Sequence, residues 1–270
     1  MTSETEIIRF QTLNRKIEIE VNPKAFRPNR VSRAFIEALP KNLESYVIDD
    51  IGSGTGILAL EAAYRGARKV RAVEPAKENY TLLVRNISRH NMENIITPYQ
   101  NVYFNPIKEQ EKADIIIADV SGIPDIFARA LGWYPEGVPT GGDEGYEITC
   151  ELLKRAPKYL KETGKLFFPI ANDLLDENKI LDAARQNFRN VENALCSEKD
   201  LLNWKEKASK NNNLWKSPDY VWFQLRDKDM ENLKKAYNGR LPKTMNIQEV
   251  KGRHFWRGQI ISVEQPIIKS

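Results

Sequence analysis

The sequence predicts an α/β protein with a doubly wound, mostly parallel sheet, and three observations support that prediction. Apolar segments typical of buried strands alternate with amphipathic segments typical of helices between residues 46 and 187. A glycine-rich turn that begins at Gly52 follows the first of these strands, and the second strand ends in an acid, Glu74. Polar breaks at residues 91–94 and 109–112 separate the later elements.

The predicted elements follow one another in chain order. Residues 5–22 alternate polar and apolar side chains, which predicts an N-terminal β-hairpin that turns near Asn14. A loop over residues 23–30 then leads into a helix over 31–39 that ends before Pro40. The core elements expected after it are strand 46–50, helix 56–65, strand 69–74, helix 76–90, strands 95–100 and 113–118, helix 146–160, strand 165–170 and helix 173–187.

In the last part of the chain, the sequence pattern predicts strands over 191–195, 219–226 and 259–264, with a helix over 229–237. Two of these strands would complete a seven-stranded sheet. Residues 196–218 form a C-terminal insertion rich in Lys, Asn and Trp, which we expect on the substrate side of the sheet.

The glycine-rich turn is the most informative motif of the chain. Its sequence is Val47-Ile48-Asp49-Asp50-Ile51-Gly52-Ser53-Gly54-Thr55-Gly56. Its glycines remove side chains where a ligand must approach the backbone, and they permit positive φ angles. A carboxylate at the end of the next strand, Glu74, can accept two hydrogen bonds from ribose hydroxyls. The order strand, turn, helix, strand, acid therefore predicts a nucleotide-type cofactor site.

The spacing of the glycines distinguishes between cofactors. A dinucleotide fingerprint requires glycine at the first, third and sixth positions, whereas the sixth residue here is Ile57. The glycines stand at the first, third and fifth positions, with Asp50 two residues upstream. This pattern resembles motif I of the class I S-adenosylmethionine-dependent methyltransferases, which have a Rossmann-like fold. The resemblance implies S-adenosyl-L-methionine as cofactor, and the residues expected to hold it are Asp50, Gly52, Ser53, Gly54, Gly56, Glu74, Pro75, Asn101, Asp119 and Arg27.

A second resemblance concerns residues 15–190. The turn Gly141-Gly142-Asp143-Glu144-Gly145 resembles the Gly-Gly-x-Asp-Gly turn of the HemK/PrmC-type glutamine methyltransferases. The loop over residues 26–30 stands where that group has its proline-arginine cofactor lid. The chain would then comprise a hairpin with a cofactor lid (1–30), a cofactor-binding core (31–195), and the late strands with the insertion (196–270).

The diagnostic Asn-Pro-Pro-Tyr of that group is absent, and Asp119-Val120-Ser121-Gly122 stands in its place. This change removes the proline-fixed carbonyl and the aromatic ring that hold a planar nitrogen in the group. We therefore expect Asp119 to act as a catalytic residue that accepts a hydrogen bond or a proton from the acceptor. Ser121 is a second catalytic candidate, and the alternative for Asp119 is that it binds only the ammonium of the cofactor.

Aromatic residues supply the candidate substrate contacts. Trp133 and Tyr134 lie between Asp119 and the later glycine turn, and Trp256 lies near the C-terminus, although buried packing would explain all three as well. Residues 198–270 carry 15 Lys and Arg against 9 Asp and Glu. Such a basic, aromatic segment could bind nucleic acid, but its charges are not clustered, which favours a solvated face.

Composition excludes several other classes of protein. A chain of 270 residues with 41% hydrophobic content can bury a substantial core. No apolar run approaches the roughly 20 residues that span a bilayer, and the polar start does not resemble a signal peptide. Two cysteines and two histidines provide neither a disulfide framework nor a metal site. We therefore expect a cytoplasmic protein that needs neither a metal nor a membrane.

These observations lead to one principal hypothesis and three alternatives. The principal hypothesis is methyl transfer to a nitrogen or oxygen of a small molecule, with that molecule as the main partner. The first alternative is methylation of RNA or a protein side chain, delivered by the basic C-terminal segment. The second is other chemistry of the same cofactor, either aminocarboxypropyl transfer or cyclisation that releases methylthioadenosine. The third is a cofactor-binding regulatory subunit. Neither the acceptor nor the oligomeric state follows from the sequence.

Overall fold

The computed structural model describes residues 4–134, 138–196, 198–210 and 216–268. It confirms the predicted fold class, because a central, mostly parallel sheet lies between two layers of helices. The predicted N-terminal hairpin is also present, with β1 over Glu6–Gln11 and β2 over Lys16–Val21 paired antiparallel. A helix, α1 over Arg30–Ala38, connects the hairpin to the sheet.

The core of the fold alternates strands and helices in the predicted order. Its elements are β3 (Val47–Ile51), α2 (Ile57–Tyr64), β4 (Lys69–Val73), α3 (Lys77–Arg89), β5 (Ile96–Tyr99), β6 (Ala113–Ile117), α4 (Asp125–Ala130), α5 (Glu147–Arg155), β7 (Leu160–Ile170), α6 (Glu177–Asn187) and β8 (Phe188–Asn193). The C-terminal elements are α7 (Glu198–Lys210), β9 (Val221–Leu225), α8 (Asp227–Ala236), β10 (Gln248–Val250) and β11 (Arg253–Pro266).

The order of the strands across the sheet is β5-β4-β3-β6-β7-β11, and the first five run parallel. The long strand β11 runs antiparallel to β7 along residues 259–264, and β8 pairs with its other edge. These seven strands form the predicted sheet. The first half of β11 extends beyond it and pairs with β9 and β10. The C-terminal segment is therefore continuous with the core sheet.

The central strands of the sheet are buried on both faces. Every residue of β3 is buried, because helices cover both faces of the sheet. Hydrophobic residues of the hairpin and of α1 and α2 pack on one face, while those of α4, α5 and α6 pack on the other. Among the described helices, none is both long and apolar enough to cross a membrane.

The structure corrects several predicted boundaries. The helix predicted over 146–160 ends at Arg155, because Pro157 lacks an amide donor and a short 3₁₀ turn follows. Strand β7 consequently begins at Leu160 rather than at residue 165. The helix predicted from residue 173 begins at Glu177, since the Asp176 carboxylate caps it by accepting from the Asn178 amide. The short helix α4 and the helix α7 inside the insertion were not predicted.

Candidate functional site

A cavity of about 640 Å³ lies at the carboxyl ends of β3, β4, β6 and β7. This is the edge at which open α/β sheets bind their ligands. The loop between β2 and α1 covers one side of the cavity, and residues of β9 and β11 close the other. Two groups of residues lie at different parts of the cavity lining, and we call them the glycine end and the aromatic end. The glycine end comprises Gly52, Gly54, Glu74 and Pro75, and the aromatic end comprises Trp133, Tyr134, Phe223 and Trp256.

The glycine turn adopts the backbone that its composition predicts. Gly52, Gly54 and Gly56 have φ angles of 76°, 55° and 97°, which L side chains rarely adopt. A Cβ on Gly52 would lie 3.3 Å from the carbonyl oxygen of Asp119, so the turn and the end of β6 are in close contact. Gly52 and Gly54 line the cavity, whereas Gly56 begins α2 and packs on Leu83.

Glu74 connects the two strands of the glycine end. Its carboxylate accepts from the amides of Gly54 and Ala76, each at 2.8 Å, and from the side-chain amide of Asn79 at 3.2 Å. Burial raises the pKa of this carboxyl, while those hydrogen bonds oppose the rise. The carboxylate lines the cavity and keeps about one acceptor position unused, because it can accept about four hydrogen bonds in total.

Two of the predicted cofactor residues lie behind the cavity wall. Asp50 is fully buried, and burial together with the charge of Asp119 raises its pKa to about 8. The Ser53 hydroxyl donates to the main-chain oxygen of Asp50 at 2.7 Å. Neither residue lines the cavity. Their hydrogen bond instead stabilises the glycine turn from within the protein.

Asn101, one of the predicted cofactor residues, does not line the cavity. Its side chain is exposed and accepts from the amide of Val102 at 2.9 Å, which caps its own loop. The residues of that loop that reach the cavity are Val102 and Tyr103.

The loop before α1 contributes Phe26 and Arg27 to the lining, and the first residue of α1 contributes Arg30. The predicted cofactor residue Arg27 forms an ion pair with Glu6 of β1, and both side chains are exposed. Arg30 donates to the main-chain oxygen of Trp222 at 2.9 Å. These contacts hold the loop across the cavity between the hairpin and the C-terminal segment.

Asp119 lies at the end of β6, where the glycine turn meets the rest of the cavity. The Ser32 hydroxyl of α1 donates to its carboxylate at 3.4 Å. Burial raises the pKa of Asp119 to about 7, and the Ser32 hydroxyl opposes that rise. The carboxyl can therefore both accept and release a proton near neutral pH.

Tyr134 faces the same part of the cavity. Burial raises its pKa to about 12, with the Asp119 charge adding to the rise and the Ser121 hydroxyl opposing it. Its ring lies 6.1 Å from that of Phe26, measured between centroids. The predicted residues Asp119, Ser121 and Tyr134 are thus brought together on one side of the cavity.

The remaining aromatic residues form a continuous wall. Trp256 stacks on Phe223 with centroids 4.0 Å apart and planes at 9°, and Trp133 lies 5.9 Å from Trp256. The predicted substrate residues Trp133, Tyr134 and Trp256 therefore all line the cavity. Pro135, which follows Tyr134, lies outside the described residues.

The second glycine turn fixes the loop that carries Asp119. The Gly141 amide donates to the Ile123 oxygen at 2.9 Å, and the Asp125 amide donates to the Gly142 oxygen at 2.9 Å. A Cβ on Gly145 would lie 2.7 Å from Pro124, which explains the glycine there. The turn therefore packs directly against residues 122–125 and orders the segment after β6.

Sequence inspection missed three residues of the site: Ser32, Phe26 and Phe223. Phe26 lies in the loop that was predicted to cover the cofactor, so its aromatic side chain could have indicated a residue of the cavity wall. Ser32 and Phe223 carried no signal, because their role depends on where α1 and β9 pack.

S-adenosylmethionine fits the glycine end of the cavity. A Cβ on Gly52 would occupy space beside Asp119, Gly54 presents backbone to the cavity, and Glu74 stands ready for a ribose diol. Among the described residues, no cluster of His, Cys, Asp and Glu could hold a metal ion. S-adenosylmethionine is the cofactor of this chain.

Comparison with known proteins supports the same class. Residues 6–119 match the family described as conserved hypothetical protein 95. The release factor glutamine methyltransferase of Moorella thermoacetica is 27% identical over 64% of this chain and 64% of its own length. The ribosomal protein L11 methyltransferase of Carboxydothermus hydrogenoformans is 34% identical over 48% of this chain and 42% of its own length. This chain thus spans less than two thirds of either relative.

A T. thermophilus 16S rRNA methyltransferase, solved with AdoMet and guanosine, has a similar fold. Its TM-score is 0.58 at 18% identity, and the similarity covers 73% of this chain and 49% of that one. At this identity the likeness concerns the fold alone.

These relatives correct one prediction. The named substrates of the sequence relatives are proteins, a release factor and a ribosomal protein, and none is a small molecule. The prediction of a small-molecule acceptor and partner is therefore wrong. It relied on the missing Asn-Pro-Pro-Tyr motif, and the loss of that motif changes how a nitrogen is held without limiting the size of the molecule that carries it.

Motif, fold and relatives together identify the chain as a class I S-adenosylmethionine-dependent methyltransferase that resembles the HemK/PrmC-like group and lacks its Asn-Pro-Pro-Tyr motif.

Proposed function

We propose that this chain transfers a methyl group from S-adenosylmethionine to a nitrogen of a protein side chain, and that Asp119 holds that nitrogen. The observation that carries the proposal is the position of the Asp119 carboxylate within one cavity. The main-chain oxygen of Asp119 lies beside Gly52 of the glycine end, and its carboxylate lies close enough to Tyr134 of the aromatic end to add to the burial-driven rise in the pKa of that phenol. The sequence relatives named above, which act on proteins, support the choice of a protein acceptor.

In this proposal Gly52, Gly54 and Glu74 hold the cofactor. Glu74 is positioned for this task by three hydrogen bonds from Gly54, Ala76 and Asn79. When bound, the cofactor supplies a methyl group that its sulfonium has already activated. The protein therefore needs mainly to bring the acceptor nitrogen into line and to exclude water.

Asp119 performs the acceptor part of the reaction. Its carboxylate accepts a hydrogen bond from the acceptor N–H, orients the nitrogen lone pair, and takes up the proton that the nitrogen loses. Tyr134, Trp133 and Trp256 surround that nitrogen with apolar surface and exclude water. The loop over residues 22–29 serves as the lid, since Arg27 and the adjoining Arg30 of α1 hold it across the cavity.

RNA is the second candidate acceptor, and the excess of Lys and Arg over residues 198–270 is the observation in its favour. The cytoplasm is the proposed location, on the cysteine content.

Transfer of a tritiated methyl group distinguishes a protein acceptor from an RNA acceptor. Purified protein is incubated with S-adenosyl[methyl-³H]methionine and an extract of cells that lack this chain, and the labelled extract is then divided between protease and ribonuclease. We expect label that protease releases and ribonuclease does not. Label released only by ribonuclease would contradict the proposal, as would methylthioadenosine in place of S-adenosylhomocysteine.

Two variants test whether incorporation of the label depends on Asp119. Asp119→Asn should lower incorporation by about two orders of magnitude or more, because an amide cannot take up the proton. Asp182→Asn, on the exposed face of α6, is the matched control and should label the extract like the unmodified protein. If both variants lose the same amount of incorporated label, or if neither loses any, Asp119 has no specific part in the transfer.

A further inference from the structure

From the charges and aromatic rings of the cavity, we propose that the acceptor is a cationic side chain, the ammonium of lysine or the guanidinium of arginine. This inference depends on the proposed function and specifies its substrate class. Asp119 then serves as counterion to the acceptor as well as its proton acceptor.

The first step of the argument concerns charge. Four charged side chains occur among the described residues that line the cavity: Arg27, Arg30, Glu74 and Asp119. Arg27 pairs with Glu6, and Arg30 donates to the Trp222 carbonyl. Asp119 has only the long hydrogen bond from the Ser32 hydroxyl, and no cation of the described chain lies against it. A paired charge stabilises a carboxylate withdrawn from water, so the ionised form of Asp119 favours a cationic ligand over a neutral one.

The second step concerns the surface around that carboxylate. The rings of Tyr134, Trp133, Trp256 and Phe223 line the same cavity as Asp119, so a ligand side chain bound at that carboxylate lies in a cavity with aromatic walls. Aromatic faces attract Lys and Arg cations and also pack against their aliphatic stems. Carboxylate and rings together match an alkylammonium or guanidinium group and disfavour an acid.

The third step excludes the neutral amide that the HemK/PrmC-like group holds. Asp119-Val120-Ser121-Gly122 has no proline-fixed carbonyl and no ring at residue 122. The carboxylate can accept from an amide N–H, but a neutral amide leaves its charge unpaired.

The chemistry balances. A lysine ammonium first releases a proton to Asp119, and the freed nitrogen lone pair forms the new N–C bond. The methyl–sulfur bond breaks with its electron pair on sulfur, which becomes a thioether. The methylated nitrogen keeps one positive charge, and the proton on Asp119 leaves to water.

The identity of the methylated residue tests the inference directly. Tritium-labelled protein from the extract is digested with proteases to free amino acids, which are then separated by chromatography. We expect methyllysine or methylarginine. Methylglutamine or methylasparagine would overturn the inference and leave the proposed function intact, whereas an absence of any labelled protein would overturn the proposed function itself.

A binding experiment tests the same inference without turnover. The probes are the N-acetyl methylamides of lysine, arginine, glutamine and norleucine, titrated by calorimetry into the full chain saturated with S-adenosylhomocysteine. We expect the lysine or arginine probe to bind at least about tenfold more tightly than the neutral probes. Equal affinity for all four probes would overturn the inference.

Two variants then separate acceptor binding from cofactor binding. Asp119→Asn should abolish the preference for the cationic probe while the affinity for S-adenosylmethionine changes less than about threefold. Tyr134→Leu keeps an apolar side chain but removes one aromatic face, and it should weaken the preference without abolishing it. If Asp119→Asn instead reduces affinity for S-adenosylmethionine and leaves probe selectivity intact, the carboxylate serves the cofactor, and the inference fails.

Discussion

At the scale of single residues, the glycines of the first turn have different tasks. Gly52 allows the end of β6 to approach, and Gly54 presents its amide to Glu74. Gly56 does both things that only glycine can do, because it combines a φ of 97° with close packing. A Cβ there would lie 2.7 Å from the Cδ1 atom of Leu83.

Gly56→Ala should therefore be more destabilising than an ordinary substitution of glycine at positive φ. Gly239 is the matched control, since its φ is 86° and no atom lies within 4 Å of its added Cβ. We expect Gly239→Ala to lower the free energy of unfolding by about 1 kcal/mol, and Gly56→Ala by roughly 1–3 kcal/mol more. Chemical denaturation measures both, and equal losses would show that Leu83 yields to the extra methyl group.

Glu74 is the second residue whose effect can be predicted. Glu74→Gln replaces one acceptor oxygen by an NH₂ group, which can only donate. This group then lies opposite an amide that now donates to Glu74, that of Gly54 or Ala76, or opposite a ribose hydroxyl of the cofactor. We expect the affinity for S-adenosylmethionine to fall about 10- to 100-fold, since hydrogen bonds to charged groups contribute about 1.5–3 kcal/mol. Calorimetry should show no such loss for Glu93→Gln, which alters an exposed acid after α3; comparable losses in both variants would refute the role of Glu74.

At the scale of elements, β11 connects the core sheet to the aromatic end of the cavity. Its second half pairs with β7, and its first half carries Trp256 and pairs with β9. An ion pair fixes the junction, because Arg257 donates to both oxygens of buried Asp173 at 2.7 and 2.8 Å. The amide of Arg257 also donates to that carboxylate at 2.8 Å.

Asp173→Ala should thus destabilise the protein and disturb the aromatic end. Removal of one partner leaves a partly buried guanidinium and an amide unsatisfied, which costs about 3–5 kcal/mol. The control is Arg185→Gln, because its partner Asp182 is exposed and the pair contributes little. Urea denaturation compares the two variants, and an unfolding midpoint for Asp173→Ala close to that of the control would show that β11 needs no such anchor.

At the scale of the whole molecule, three acids are gathered at one edge of the sheet and withdrawn from water. Burial raises the pKa of Asp50 to about 8, that of Asp119 to about 7, and that of Glu74 in the same direction. In the unfolded chain these groups ionise near pH 4. Between these values the folded protein binds more protons than the unfolded chain.

Stability should consequently fall as pH rises. The contribution of Asp50 and Asp119 is complete below about pH 4 and is lost as the pH passes through 7 and 8. We expect the Tm of the cofactor-free protein to decrease between pH 6 and pH 9 in scanning calorimetry. Asp50→Asn should flatten this decrease, whereas Asp182→Asn should not. A Tm that rises over this range, or an unchanged slope in Asp50→Asn, would contradict the assignment.

The sequence by itself determined the sheet core and the glycine end of the cavity. The glycine turn, Glu74 and the buried strands β3, β4 and β6 are encoded by neighbouring residues, and side-chain periodicity and glycine spacing report on such local geometry directly. Trp133, Tyr134 and Trp256 could be selected as candidates as well, because large aromatic residues near a ligand edge are few. The side chain of Asn101 lies outside the cavity lining and caps its own loop.

Only the tertiary structure decided how the aromatic end is assembled. Ser32, Asp119, Tyr134, Phe223 and Trp256 come from five separate segments, and their contacts join residues as distant as 32 and 119 along the chain. Asp119, Tyr134 and Trp256 could be named from the sequence, but the contacts among these residues could not, because they follow from how α1, β9 and β11 pack on the sheet. The cofactor was therefore predictable from the sequence, whereas the environment of the acceptor nitrogen depended on long-range packing.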